Sequence, residues 1–228
     1  MQTNPSPSDP GALPTPTLLL ASSSRWRRQL LEDAGLACGI VAPELDEDAV
    51  WGVDPVDTAR ARARAKALEV AERHPHALVI GADQVLWEPD ASQGPGGEAI
   101  GKPPDLALWR ARLLALRGRW HGLTTAVYLA APAALGGDEA FEEHSRVHMR
   151  ADASEAEVDA YIAWGEARGC AGGYMVERRG AWLVQAVEGD WHNVVGLPVL
   201  ALVGRLRARG WTLGSGGQGQ PARDTGRA

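Results

Sequence analysis

The sequence is short of the residues that would place it in several large classes of protein. Only two of its 228 residues are cysteine, Cys38 and Cys170, too few for a disulfide framework or a thiolate metal cluster. No apolar run approaches the roughly 18 residues that a membrane-spanning helix requires, and no segment has the charged and apolar regions of a signal peptide. A soluble protein of the cytoplasm is expected. Positive charge is also scarce overall, with 23 Lys and Arg against 29 Asp and Glu and a formal net charge of −6. That balance argues against a broad surface for duplex nucleic acid but leaves room for a local basic pocket, so any phosphate ligand should be small. Internal repeats are absent, as are P-loop, HExxH and CxxC patterns.

What is present supports one folded unit. The apolar content of 45% is enough for one substantial core. Residues 1–16 are rich in Pro, Ser, Thr and Asn, and residues 214–228 in Gly, Gln and Arg. Neither end can offset its ordering entropy by burial, so both are expected to be disordered tails around a single domain over residues 17–213.

Within that domain, Leu18 to Leu31 runs from an apolar strand through Ser22, Ser23 and Ser24 into a basic helix start. Helix amino ends present unpaired N–H groups and a positive dipole end, so Ser22 and Arg27 are candidates to hold an anion. The alternative is an ordinary serine cap on a solvated helix. Cys38 to Ala42 reads as a second strand, followed by an acidic loop containing Glu47. Asp54 and Pro55 supply a cap and a first-turn proline for a long helix to about Arg73. Its Ala, Arg and Lys run favours helix, with Ala59, Ala63, Ala67 and Val70 on the packing face and Arg62 and Lys66 on another; solvated charge is the default for such a row. Ala77 to Gly81 reads as a buried strand that ends as Asp83 arrives, a position at which α/β proteins place ligand chemistry. Glu88 to Ile100 reads as a long Gly, Pro and Ser connection, expected to be mobile, and closes at Gly101, Lys102 and Pro103, which hold the lysine on stiff, non-helical backbone.

Further on, a helix is expected over Asp105 to Leu116, strands over Trp120 to Ala130 and Phe141 to Met149, and a capping box at Ser154 and Glu157 for a helix to Trp164. The glycine-rich turn at Gly169 to Gly173 should lead into two strands around Arg178 to Gly180 and a last helix from Leu197. Alternation early and hairpins late predict an α/β fold with a mixed sheet and flanking helices. Ser22, Arg27, Lys66 and Lys102 suit an anion, and Glu47 and Asp83 suit a divalent cation or proton transfer. That is the complement needed for phosphoryl chemistry.

The ordered segments LLLASSSRWRRQLLEDAGL, APELDED, ARAKA, VIGADQV, GKP, LTTAVYL, AGGYMVE and NVVGLP resemble the Maf family of nucleoside triphosphate pyrophosphatases, over roughly Thr17 to Leu213. The resemblance implies a twisted mixed sheet with two lobes around a deep cleft, related to the ITPase-like architecture, and a homodimer. It also implies hydrolysis of a nucleoside triphosphate to the monophosphate and pyrophosphate with Mg²⁺ or Mn²⁺. By motif, Ser22 and Arg27 would bind phosphate, Asp83 would accept the proton from water, Glu47 and Asp83 would hold metal, and Lys66 and Lys102 would stabilise phosphate charge. Trp26, Gln84 and Glu177 match the branch preferring 7-methyl-GTP, whose cationic base an indole and a carboxylate could recognise. Arg25 stands where the family has proline. A dTTP- and UTP-preferring enzyme, or a nucleotide-binding regulator of septum formation without turnover, are the alternatives.

Overall fold

The computed structural model describes residues 17–87, 99–100 and 105–213, with only the backbone described at 99–100. The expected tails, most of the long connection before Ile100, and Lys102 lie outside the described residues. The elements, in order, are β1 (Leu18–Ala21), α1 (Arg25–Asp33), β2 (Gly39–Val41), α2 (Pro55–Arg73), β3 (Leu78–Trp87), β4 (Ala99–Ile100) and α3 (Leu106–Leu116). They continue with β5 (Trp120–Ala130), β6 (Glu139–Met149), α4 (Glu155–Trp164), β7 (Val184–Glu188), α5 (Trp191–Val195) and α6 (Val199–Ala208).

Local chemistry sets most of these boundaries. Ser24 caps α1 by accepting from Arg27 N, and Gly35, at φ +70°, lets the chain turn away after it. Asp54 caps α2 through Asp57 N with Pro55 in the first turn, and Ser154 and Glu157 form the reciprocal capping box of α4. Among the described residues the strands form one sheet ordered β2-β1-β3-β5-β6-β7, with β4 also on β3. The β1–β2 and β1–β3 pairs are parallel and the others antiparallel, which gives the mixed sheet expected from early alternation and late hairpins.

β3 determines where the site forms. β5 occupies one of its edges from Val79 to Trp87. The other edge is taken by β1 up to Gly81 and by β4 only from Leu86. Ala82 to Val85 therefore lack a strand partner on that side among the described residues. Asp83 thus lies inside a continuous strand, not at the end of one as expected, because pairing with β5 carries the ladder straight through it. Two apolar clusters flank this point. One gathers β1, the first half of β3, the far half of β5 and α6, including Leu20, Ile80, Leu129 and Leu202. The other gathers Leu86, Leu123, Val147 and Met149 with α3 and α4.

One further expectation is corrected. Among the described residues only one strand, β7, follows the glycine-rich turn; residues 174–183 close successive tight turns through Arg178 N to Met175 O (3.1 Å) and Leu183 N to Gly180 O (2.9 Å). Those bonds satisfy the backbone locally, so no ladder is needed there. The segment before the last helix also forms the short helix α5, capped by Asp190 through His192 N.

α2 lies close against the sheet because its packing face is alanine and the strand beneath it carries Gly81. A Cβ at Gly81 would lie 2.1 Å from Ala63 O and 2.8 Å from Ala67 Cβ. Gly81→Ala is therefore expected to cost about 1–3 kcal/mol by overpacking, read as a lower urea midpoint with an unchanged slope; a midpoint equal to that of the parent would refute the close-approach account.

Candidate functional site

The first turn of α1, the open edge of β3, α2 and the glycine turn after α4 enclose a cavity of about 310 Å³ lined by residues that include Ser22, Arg27, Glu47, Lys66, Asp83 and Gln84. At its floor Lys66 is buried, with 4% of its surface exposed, in contrast to the solvated row expected of its helix. Its Nζ donates to Asp83 Oδ1 at 2.8 Å and pairs with Glu47 Oε2 at 2.6 Å. The ammonium is neutralised on both sides, which is the condition under which a lysine can be buried without a large penalty. The alanine spine of α2 makes this reach possible by bringing the helix down onto β3. Glu47 arrives on a short 3₁₀ turn, 47–49, capped by Asp46.

Arg27 crosses the gap beside β3. Its Nη1 donates to Ala82 O at 2.8 Å and its Nε to Gly196 O at 3.0 Å. Desolvation lowers its pKa, and Asp83 and Glu47 oppose that effect, so the guanidinium remains a fixed positive charge. Ser22 is buried and its Oγ accepts from Ser24 N at 3.1 Å, which shapes the turn that presents the helix amino end to the cavity. Three of the four residues expected to suit an anion, Ser22, Arg27 and Lys66, therefore line one cavity with Glu47 and Asp83. Lys102 lies outside the described residues.

The three residues singled out for base recognition also line this cavity. Gln84 Nε2 donates to Asn193 O (2.6 Å) and Thr125 Oγ1 (3.1 Å), so the group it offers to a ligand is its carbonyl oxygen. Trp26 is half-buried and is contacted by two guanidinium groups, with Arg25 Cζ 4.2 Å and Arg178 Cζ 4.8 Å from the ring centroid. Partial desolvation pushes the Glu177 carboxyl above its ordinary pKa.

Sequence reasoning passed over Tyr174 and Arg168, and expected Asn193 to serve packing and loop geometry. Asn193 is fully buried and its Nδ2 ties α5 to Leu123 O (3.2 Å) and Ser145 Oγ (2.9 Å). The Asp190 cap and Gly196 that bracket α5 were the signal available for it. Tyr174 lines the cavity and its hydroxyl meets His121 Nε2 at 2.7 Å, behind the wall.

No three His, Cys, Asp or Glu side chains that could share a metal ion come together among the described residues. The donor set present is the carboxylate pair Glu47 and Asp83. That pair fits a hard cation such as Mg²⁺, which binds one or two carboxylates and completes its shell with water and substrate phosphate oxygens.

A family profile described as Maf-like protein matches residues 17–209. Curated relatives include a dTTP/UTP pyrophosphatase of Symbiobacterium thermophilum, 36% identical over 203 residues and covering 89% of this chain and 98% of the relative. A nucleoside triphosphate pyrophosphatase of Granulibacter bethesdensis is 38% identical over 83% of this chain and 95% of its own length. A 7-methyl-GTP pyrophosphatase of Cupriavidus pinatubonensis is 36% identical over 87% of this chain and 96% of the relative.

Burial lowers the pKa of His121 to about 4, so it is neutral in the folded protein where the unfolded chain would take up a proton. The unfolded state binds more protons between about pH 4 and 6.5, and stability therefore rises with pH through that window, by about 2–3 kcal/mol in total. Denaturant melts at pH 4.5 to 7 should show this slope, and His121→Gln should flatten it; the same slope in the variant would assign it to other groups.

Proposed function

The chain belongs to the Maf family, and on that premise we propose that it hydrolyses a nucleoside triphosphate to the monophosphate and pyrophosphate, with 7-methyl-GTP as the preferred substrate. The observation that carries the reading is the juxtaposition of a buried Lys66–Asp83 pair, joined by Glu47, with the Arg27 guanidinium at a helix amino end. The cations and the unpaired N–H groups of α1 suit the phosphates, and Lys102 is assigned to the same task.

Asp83 is proposed to take a proton from the attacking water. The oxygen of that water then bonds to the α-phosphorus, and the bond from that phosphorus to the bridging oxygen breaks to release pyrophosphate. Lys66 holds the carboxylate in place from below. Arg27 and Lys66 offset the charges of Glu47 and Asp83, and a divalent ion held by those two carboxylates would add positive charge for a triphosphate and polarise its phosphate oxygens. A homodimer belongs to the same reading and is checked by sedimentation.

Trp26, Gln84 and Glu177 support the choice of 7-methyl-GTP: an indole can stack on the cationic base, and the Gln84 carbonyl and Glu177 carboxylate can accept from its N–H edge. A dTTP and UTP preference is the second reading, favoured by the two arginines already against Trp26 and by the Symbiobacterium relative.

The test is a panel of triphosphates with Mg²⁺ or Mn²⁺, scored for monophosphate and pyrophosphate. Turnover of at least one member is expected, with 7-methyl-GTP giving the highest kcat/KM; ligand binding without cleavage of any member would favour a non-catalytic nucleotide-binding regulator. Asp83→Asn should lower kcat by about 10²–10⁴-fold with the fold intact by circular dichroism. Near-parental turnover would take Asp83 out of the base role.

A further inference from the structure

Glu47 is the one member of the Lys66 cluster carried neither by the sheet nor by a long helix; it sits on the short 3₁₀ turn 47–49. Its place in the cavity therefore depends on what holds that turn. The holder is α2, on which Thr58, Arg62 and Lys66 follow one another a turn apart and share a face. The segment 47–52 runs along this face in the opposite direction and is gripped at each turn. Lys66 Nζ meets Glu47 Oε2 at 2.6 Å, Arg62 Nε donates to Val50 O at 3.1 Å, and Thr58 Oγ1 accepts from Gly52 N at 3.0 Å. At Gly52 the approach leaves no room for a side chain, since a Cβ there would lie 2.4 Å from Asp57 C.

Arg62 makes the central grip, and its contacts are unequal. Its Nη2 lies 3.6 Å from Asp48 Oδ1, but that side chain is 93% exposed, so the ion pair is screened and contributes little. The guanidinium also lies over the Trp51 ring, with Cζ 5.1 Å from the centroid, and Trp51 Nε1 donates to Asp48 O within the same turn. The strongest contact is the charge-assisted bond to Val50 O, made by a side chain that is only 18% exposed. The Asp46 cap and the bond from Val50 N to Glu47 O close the turn on itself but do not attach it to the helix. Arg62 does not line the cavity, so its influence there passes through the turn.

We propose that Arg62 is a positioning residue for metal binding: it fixes the 47–52 segment on α2 and so fixes where Glu47 presents its carboxylate. This rests on the divalent ion assigned above to Glu47 and Asp83, but not on turnover. Lys66 cannot serve alone, because its ammonium competes with a bound cation for the same Glu47 oxygens. The Arg62 grip is on backbone and is left intact when that carboxylate is engaged. Side chains that orient a metal ligand in this way set metal affinity without touching the metal.

The experiment is titration of the full chain with Mn²⁺ alone, read from the electron paramagnetic resonance of the free ion, with amide exchange over residues 44–53 followed by mass spectrometry. Arg62→Gln is expected to weaken Mn²⁺ binding about tenfold and to speed exchange over 47–52. Arg62→Lys, which keeps the charge but loses the planar fork, should fall between. Glu47→Gln should weaken binding at least as much, and adding Arg62→Gln to it should cost nothing further, because the arginine acts only through Glu47. Parental exchange in Arg62→Gln, or losses that multiply in the double variant, overturn the proposal. So does a lowered urea midpoint with parental Mn²⁺ affinity, the mark of a merely structural role. If Glu47→Gln weakens binding and Arg62→Gln does not, this inference fails alone; if Glu47→Gln has no effect, the assignment of the ion to Glu47 fails with it. If the pattern holds while no triphosphate is cleaved, the catalytic reading fails and this one stands.

Discussion

A primary ammonium under the floor of the cavity, held at 2.8 Å from Asp83 and 2.6 Å from Glu47, is the interaction on which the rest of the site depends. Burying a lysine is costly unless opposite charge meets it, and burying two carboxylates near each other is costly unless a cation separates them. Lys66 and Asp83 make each other's burial tolerable, and the partly exposed Glu47 adds a second counter-charge to the ammonium. One oxygen of Asp83 is held by Lys66, and Asp83 lines the cavity.

That cluster depends in turn on two features of the fold. The alanine face of α2 and the absence of a side chain at Gly81 let the helix settle low enough for Lys66 to reach across to β3. The shortness of β1 then leaves the edge of β3 uncovered beside Asp83, and Arg27 fills the gap by donating to Ala82 O. The carbonyl of Ala82, which would otherwise seek a neighbouring strand, instead holds a guanidinium at the edge of the cavity. The same incompleteness of the sheet that exposes Asp83 thus also positions a phosphate-seeking cation.

Much of this was legible in the sequence, and what was not has identifiable causes. The caps at Ser24, Asp54 and Ser154 act through side chains on nearby backbone, so the starts of α1, α2 and α4 could be read locally. β5 could be read because its apolar run is bounded by Gly118 and Pro132. The burial of Lys66 could not, because a lysine among alanines and arginines looks solvated until the partner strand is known. Nor could the place of Asp83 inside β3, which depends on the distant β5. The second strand expected near Arg178 failed because tight turns satisfied the backbone first. α5 is only five residues long, too short for periodicity to reveal, and the arginines on Trp26 are brought there by the tertiary fold, one of them from 152 residues further along the chain. The candidate residues themselves came from motif resemblance more than from composition, and those within the described residues line a single cavity.

The long antiparallel ladder has a consequence for motion. β5 and β6 pair from Trp120 to Leu129 without interruption, passing beneath the cavity from one apolar cluster to the other. A continuous ladder of that length does not hinge in its middle without breaking hydrogen bonds that both clusters hold in register. The floor is therefore the rigid part, and adjustment to a ligand falls to the walls: the first turn of α1, the short α5, and the chain between Gly165 and Gly173, where three glycines adopt positive φ. Binding should be felt there as local changes in amide exchange while the strands beneath stay protected. The protein would close around its ligand by settling its rim onto a fixed base and not by swinging one lobe against the other.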